Sequence, residues 1–469
     1  MSPSPSTFRA RAALIALLLG SFAALHGLAF GLLGQAPGWD LSVALAFIAH
    51  DIGVNLLLIG AVARARRRLD ARPPTSAANA SDPARVSVLV AAWNEAAGIE
   101  ATLRSVLAQD GVVLEVIVAD DGSSDDTAAV VQHAFGLTWT GTRAVGGSLT
   151  VLRLPHAGKG AALEAARRVA VHPILVTVDA DTALSPGALA EIAAPFDDPA
   201  VEAAAGAVVV RGADSWLTRF QFTEYLKNTF ARVGWSELGG LDQVPGAFAA
   251  LRASALERAG GFPVDSLTED YEVSFRLWAQ AQRDGRLISI VTEPRARAYT
   301  DPPSTLAGLF RQRTRWFAGF LSTLWRHRAL VGARGAGAFG GLRLPLKLID
   351  AVVPPIGLST LAFLVLALVQ GTAAFGALSA SLLVVRWAMD AVVYVHVLDL
   401  NARTRSAEEA SLARAPHPRF VWACAALEAW SYAWLKQFAV LRAYPWALRR
   451  VRTWEPSRES SWGPAPSPR

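Results

Sequence analysis

One cysteine, Cys424, stands in this chain of 469 residues, and that scarcity excludes two classes at once. A lone thiol builds neither a disulfide framework nor a cysteine metal site within one chain. In its apolar, aromatic run Cys424 reads as a small buried or lipid-facing residue. Charge is the second scarcity, because Asp, Glu, Lys and Arg make up 18% of the residues against 52% hydrophobic ones. Such a balance is too apolar for an ordinary soluble protein and directs attention to membrane spans. The net charge of +6 then reads as basic flanks of spans and anionic partners, with no nucleic acid among them. Internal repeats are missing, while the length suffices for a large core and more than one domain.

The apolar runs are unevenly placed. Residues 12–34 and 42–63 each reach the roughly 20 residues that cross a bilayer. A cleaved signal peptide is the alternative for the first run, but its length and the closely following second run favour a retained hairpin over residues 1–72. Arg9 and Arg11 precede it, Arg64, Arg66, Arg67, Arg68 and Arg72 follow it, and the loop between the runs has no Lys or Arg. By charge asymmetry both ends, and the domain that follows, face the cytoplasm. Residues 73–84 form a Pro- and Ser-containing linker, and residues 326–443 turn apolar again, with runs near 345–369, 372–397 and 420–443. The last run has arginines on both flanks and Glu428 and Lys436 inside it, so a crossing and a helix lying along the inner surface both remain open. Residues 444–469 read as a basic, disordered tail. The expected location is the inner (plasma) membrane, multi-pass, with the lipid bilayer as a partner.

Between these segments, residues 85–325 alternate strands with helices. VSVLVAAW, LEVIVADD and ILVTVDAD are short β-rich runs, and AGIEATLRSVLAQ and GKGAALEAARRVA are helical ones. This order predicts an α/β unit with a mostly parallel sheet covered by helices on both faces. Ligands of such sheets bind outside the carboxyl ends of the strands. Asn94, Glu95, Asp120, Asp121, Asp179 and Asp181 sit at ends of that kind and should converge. Alternation in an extended strand puts Asp179 and Asp181 on one side, where two like charges need a cation between them.

Taken singly, each motif has a plain reading. Acids at a strand end can cap the next helix; VADDGSSD can be an Asx turn around Gly122; Gly-Lys-Gly at Lys159 is a turn and not a Walker loop. Thr268 followed by Glu269 and Asp270 is a good helix start, and Gln312, Arg313, Arg315 and Trp316 can anchor a basic-aromatic helix at an interface. PGAFAALR around Gly246 is by itself a small-residue turn.

Their order is more telling. AAWNE, VADDGSSD, HAGKG, VDADT, LTEDYE and FRQRTRW in succession resemble family 2 glycosyltransferases. The resemblance is to the membrane-embedded processive branch that includes cellulose, hyaluronan, chitin and poly-N-acetylglucosamine synthases, the last being the nearest match by its compact domain and QRTRW spelling. It implies a GT-A fold inserted between transmembrane segments, and an inverting hexosyl- or N-acetylhexosaminyltransferase. Such an enzyme moves a sugar from a UDP-sugar to the hydroxyl of a growing β-linked polysaccharide, coupled to export.

The resemblance also implies roles. Asn94, Glu95, Asp120 and Asp121 hold the uridine; Lys159 reaches the phosphates; Asp181, with Asp179, binds Mg²⁺ or Mn²⁺, a hard ion suited to oxygen ligands. Asp270, beside Glu269, is the general base that takes the acceptor proton. Gln312, Arg313 and Arg315 contact the diphosphate, whose geometry a guanidinium fork fits, while Trp316, Gly246 and Thr268 form the acceptor site. His50, Asp51, Asn55, Arg386 and Asp390 lie inside apolar runs, where a product tunnel and, for the last two, an intrahelical salt bridge account for them equally. Three other readings stay open: a single-transfer enzyme acting on a lipid-linked acceptor, a transporter with a nucleotide-sensing domain, and an inactive scaffold among secretion-complex partners.

Overall fold

Val86, Val88, Leu89 and Val90 are closed to solvent in the first strand, with Ser87 among them, and consecutive residues are all buried only where a sheet is covered on both faces. The computed structural model describes residues 38–72, 75, 83–349, 373–406, 409, 418–428 and 431–449. In chain order these form α1 (Gly38–Ala71), β1 (Ala84–Ala92), α2 (Ile99–Leu107), β2 (Val112–Asp120) and α3 (Thr127–Phe135). Next come β3 (Thr138–Thr140), β4 (Arg143–Gly146), β5 (Leu149–Arg153), α4 (Lys159–Val169), β6 (Ile174–Val178), β7 (Ala183–Leu184) and α5 (Ala188–Ala193). The second half comprises β8 (Val201–Val210), α6 (Trp216–Glu237), β9 (Phe248–Arg252), α7 (Ala253–Arg258), α8 (Glu269–Arg283), β10 (Ser289–Thr300) and α9 (Leu306–Arg326). It closes with α10 (Ala373–Thr404), α11 (Pro418–Glu428) and α12 (Tyr432–Arg449).

The strands form one sheet in the order β3-β4-β5-β2-β1-β6-β9-β8-β10-β7. Strands β5, β2, β1 and β6 run parallel, as do β8 and β10. Between these two groups β9 runs antiparallel to both β6 and β8. The sheet is therefore mixed, a GT-A-like α/β arrangement, where the sequence pattern predicted a mostly parallel one. The reason lies in β9: it starts beside the end of β6, where the Asp179 amide donates to the Ala247 carbonyl (3.3 Å), and runs back through the sheet. That reversal carries Gly246 to the carboxyl ends of the parallel strands. Room for it comes from small residues, since β8 is buried at every position, and a Cβ on Gly206 would collide with the ring of Phe248.

Among the described residues no helix is long and apolar enough to cross a membrane. This overturns the expected placement between transmembrane segments, and with it the membrane-embedded branch of the resemblance, the multi-pass inner-membrane location and the bilayer as a partner. Runs 12–34 and 350–369 lie outside the described residues, as does the chain after Arg449. Run 42–63 belongs to α1, whose charged end, together with Arg72 just past it, reaches back to the α/β unit: Arg68 pairs with Glu237 (3.1 Å) and Arg72 with Glu293 (3.0 Å). Run 372–397 lies in α10. Run 420–443 divides into α11 and α12, and its charges face protein: Glu428 pairs with Lys227 of α6 (2.9 Å), Lys436 with Glu224 (3.5 Å). A charged pair of this kind holds a helix against its neighbour. Residues 444–449, expected in the disordered tail, continue α12 through Pro445. Asn55 donates to the Asp51 carbonyl one turn back, a local bond that requires no tunnel.

Candidate active site

The parallel strands end in acids that turns, not strands, hold in place. β6 stops at Val178, so Asp179 and Asp181 lie in the turn beyond it and the two-residue alternation does not reach them. Asp179 has a cation of its own: Lys159 Nζ stands 2.6 Å from Asp179 Oδ1 and 2.6 Å from Glu269 Oε1. Burial works to lower the Lys159 pKa, but the charges of Asp179 and Glu269 outweigh it and push the ammonium well above its ordinary range. Asp181 Oδ1 accepts from the Thr182 hydroxyl (3.1 Å) and the Thr300 hydroxyl (3.4 Å).

Lys159 opens α4 directly after Gly158, and Asp121 sets the loop that delivers it. The buried Asp121 carboxylate accepts from the amides of Ala157 and Gly158, both at 2.8 Å. Asp120, also buried, accepts from the Ser123 amide (3.0 Å). The turn between them needs Gly122, at φ +71°, where a Cβ would press to 2.8 Å from the His156 nitrogen. Asn94 is the sole non-glycine residue with positive φ (57°) among the described residues, a conformation that Asn tolerates better than most. Its Oδ1 accepts from the amides of Ser124 (2.8 Å) and Asp125 (3.3 Å), joining the ends of β1 and β2.

Across from these turns stands the first turn of α8. Thr268 occupies the N-cap position but makes no side-chain cap bond, so the capping reading of this motif is incomplete. Its Oγ1 is buried without a partner among the described residues. It lies against Gly319 of α9, where any Cβ would collide with it. Asp270 is half-buried; Gln243 donates to its Oδ2 (2.7 Å), as does the Gly246 amide (3.2 Å), and the Tyr271 amide donates to Oδ1 (2.9 Å). Burial, then the charge of Glu269, raises the Asp270 pKa, against the opposing pull of Lys159. A carboxyl so placed accepts a proton more readily than an exposed one. Gly246 is required here, since a Cβ would reach 2.8 Å from Glu269 Oε1 and 3.1 Å from Lys159 Nζ.

The third wall is helical. Arg313 is buried and committed to protein: Nη2 donates to Glu224 Oε2 (2.6 Å), Nη1 to Gln312 Oε1 (3.0 Å), and the guanidinium lies 4.3 Å from the Trp316 ring centre. Its guanidinium is thus engaged by Glu224, Gln312 and the Trp316 ring. Arg315 donates to the Leu267 carbonyl (3.2 Å). Glu224, half-buried, is held below the usual carboxyl range because Arg313 and Lys436 overcome the effect of its burial.

Asn94, Glu95, Lys159, Asp179, Asp181, Gly246, Thr268, Glu269, Asp270, Gln312, Arg313, Arg315 and Trp316 all line one cavity of about 930 Å³. Asp120 and Asp121 do not line it; they act through the loops they hold. Sequence reasoning missed Gln243, which grips Asp270, and the face of α6 that carries Glu224, Tyr225, Asn228 and Arg232 into the cavity. It also missed Trp93 and His156, stacked with ring centres 4.5 Å apart beside Asn94. Polar residues recurring along the α6 stretch were the available signal. Among the described residues no three His, Cys, Asp or Glu side chains converge as a metal site. The all-oxygen pair Asp179 and Asp181 fits a hard divalent ion that takes its other ligands from substrate and water.

Residues 87–260 match the family model described as Glycosyl transferase family 2, and residues 174–379 match Glycosyl transferase family group 2. Poly-beta-1,6-N-acetyl-D-glucosamine synthase of Staphylococcus epidermidis is 30% identical over 248 residues, 51% of this chain and 56% of that protein. The synthase of the same name from Staphylococcus aureus is 30% identical over 244 residues, with the same coverage. The chain thus spans little more than half the length of these relatives. In fold it is similar to the mannosyltransferase PcManGT from Pyrobaculum calidifontis, solved with GDP-Man and Mn²⁺, at a TM-score of 0.53 and 24% identity, covering 83% of this chain and 99% of that one. Both matched models, over residues 87–260 and 174–379, describe family 2 glycosyl transferases, the enzyme class that the motifs led one to expect.

Proposed function

We propose that the protein transfers a sugar from a UDP-sugar to a hydroxyl of an acceptor glycan, with inversion, building a β-linked polysaccharide. The observation that carries this reading is Asp270, a carboxylate with raised pKa held by Gln243 and two backbone amides in the same cavity as Asp181, Lys159 and Trp316. In the proposed reaction the acceptor hydroxyl gives its proton to Asp270 as its oxygen attacks the anomeric carbon. The bond from that carbon to the diphosphate oxygen breaks, and UDP departs with the electron pair. One base and no carboxylate nucleophile suit a single inverting displacement.

Asp181 and Asp179 would hold Mg²⁺ or Mn²⁺ together with diphosphate oxygens, and the ion would neutralise charge on the leaving group. Lys159, the cation between Asp179 and Glu269, is suited to exchange one of them for a phosphate. Trp93 and His156, next to Asn94, offer a flat surface at the nucleoside end. Trp316, steadied by Arg313, offers another for the acceptor sugar. The N-acetylglucosamine polymers made by the staphylococcal relatives put UDP-N-acetylglucosamine first among donors to try.

The test supplies the purified chain with radiolabelled UDP- and GDP-sugars and Mg²⁺ or Mn²⁺, scoring high-molecular-weight product and nucleotide release. UDP release with polymer formation is expected. Absence of turnover with every donor, or activity unchanged in Asp270→Asn, would overturn the reading.

A further inference from the structure

The cavity has a second end that the donor does not need. Along α6, Tyr225, Asn228, Arg232 and Trp235 face the cavity at helical spacing, and Arg232 lies eight residues, about 12 Å of helix rise, beyond Glu224. Arg232 is half-buried and makes no hydrogen bond or ion pair with any described residue. Burial lowers its pKa, and Tyr271, Asp270 and Asp242 are the groups whose charge acts on it. Arg343 and Lys347 stand on the same cavity wall, both turned to one carboxylate, Asp242, at 2.9 and 3.6 Å. Their charges overcome the effect of burial and hold the Asp242 carboxyl at about 2, so it stays ionised. Arg232, Arg343 and Lys347 thus share one stretch of wall with the carboxylates Asp242 and Asp270, and cations gather beside the base.

These cations are held in place and do not trail in solvent. Arg343 lies 4.4 Å from the Trp235 ring centre and Lys347 5.1 Å from that of Phe320. A half-buried guanidinium that lines a cavity with no hydrogen-bond partner among the described residues keeps its N–H donors open to a ligand. Its fork matches a carboxylate or phosphate. The diphosphate of the donor belongs with Lys159, Asp179 and Asp181, and Arg232 pairs with none of these.

We infer that Arg232, backed by Arg343 and Lys347, binds an anionic group, carboxylate or phosphate, on the accepting unit or the one next to it. This rests on the transferase reading above, with Asp270 placing the acceptor hydroxyl within reach of the same wall. It deepens that reading by making the acceptor a charged one.

The test loads the full chain with UDP and Mn²⁺ and titrates three probes: phenyl β-glucuronide, N-acetylglucosamine 1-phosphate and the neutral phenyl β-glucoside. At least one anionic probe should bind about tenfold or more tightly than the neutral one, as a hydrogen-bonded charge pair supports. Added salt should narrow that gap. Arg232→Gln should close it, and Arg232→Lys should retain part of it. Preference for the phosphate probe identifies a phosphorylated acceptor, and preference for the glucuronide an acidic sugar. Equal or better binding of the neutral glucoside by the wild type overturns the inference, whether or not the variants fold, as does a gap that survives Arg232→Gln. If UDP itself fails to bind, the transferase reading falls and this inference with it; if UDP binds and the probes show no charge preference, the anion subsite alone falls.

Discussion

The two walls of the cavity are built by different means. On the strand side, Asn94, Asp120 and Asp121 bond to backbone amides within about forty residues of themselves, and these turns set the positions of the acids and of Lys159. On the helical side, Glu224 of α6 meets Arg313 of α9 and Lys436 of α12, side chains 89 and 212 residues away, through buried charge. The turns need only side chains close in sequence and backbone amides, whereas an ion-pair network joins distant segments and loses its support when one member is removed. Between them lies the first turn of α8, where Asp270 takes its support from both: amides of Gly246 and Tyr271, and the side chain of Gln243.

Asp270→Asn should have the largest effect on this boundary. Removal of the base should lower turnover by about 10²- to 10⁴-fold while UDP binding, followed by titration calorimetry, persists. Stability should move the other way. A carboxyl whose pKa rises above its unfolded value of 3.8 favours the fold while protonated, and that contribution is lost as pH rises through the folded value. The neutral amide escapes the loss, so the variant should melt higher than wild type at neutral pH. For the same reason wild-type activity should climb with pH through a midpoint above the ordinary aspartate value, and a profile whose midpoint lies at or below that value contradicts it.

On the helical wall, Glu224→Gln leaves Arg313 buried with its charge uncompensated, at a cost of about 3 kcal/mol read by chemical denaturation. A loss below about 1 kcal/mol would mean the pair is more hydrated than its burial indicates. Gly319→Ala probes the seam between walls. The added methyl collides with Thr268 Oγ1, so about 1–3 kcal/mol should be lost, with turnover falling further than stability alone explains as α8 and α9 part. On the strand wall, Asn94→Ala should cost about 1–2 kcal/mol for the left-handed backbone. Asn94→Gly should recover most of that stability but not donor affinity, because the Oδ1 acceptor for Ser124 and Asp125 is gone.

The strand wall was legible in the sequence for the same reason that it is local. Apolar runs ending in Asn94, Asp120, Asp121 and Asp179 mark strands that deliver polar groups to one edge, and the parallel pairing of β1 with β2 and β6 brings them there. The antiparallel return of β9 was not legible, since nothing in PGAFAALR encodes the direction of its neighbours. Nor was the fate of the apolar runs. Glu428 and Lys436 looked like charges inside a span, yet their partners, Lys227 and Glu224, lie on α6, some 200 residues earlier in the chain.

The sequence by itself determined the groups on offer: which acids, which lysine and which aromatic stand in order, because those are identities that local turns and strand ends suffice to present. Tertiary structure decided which of them share a cavity, that Arg313 lies against the Trp316 ring, and that Arg232 faces the cavity without a hydrogen-bond partner among the described residues. Such outcomes depend on distances between segments far apart in the chain, and only packing sets those distances.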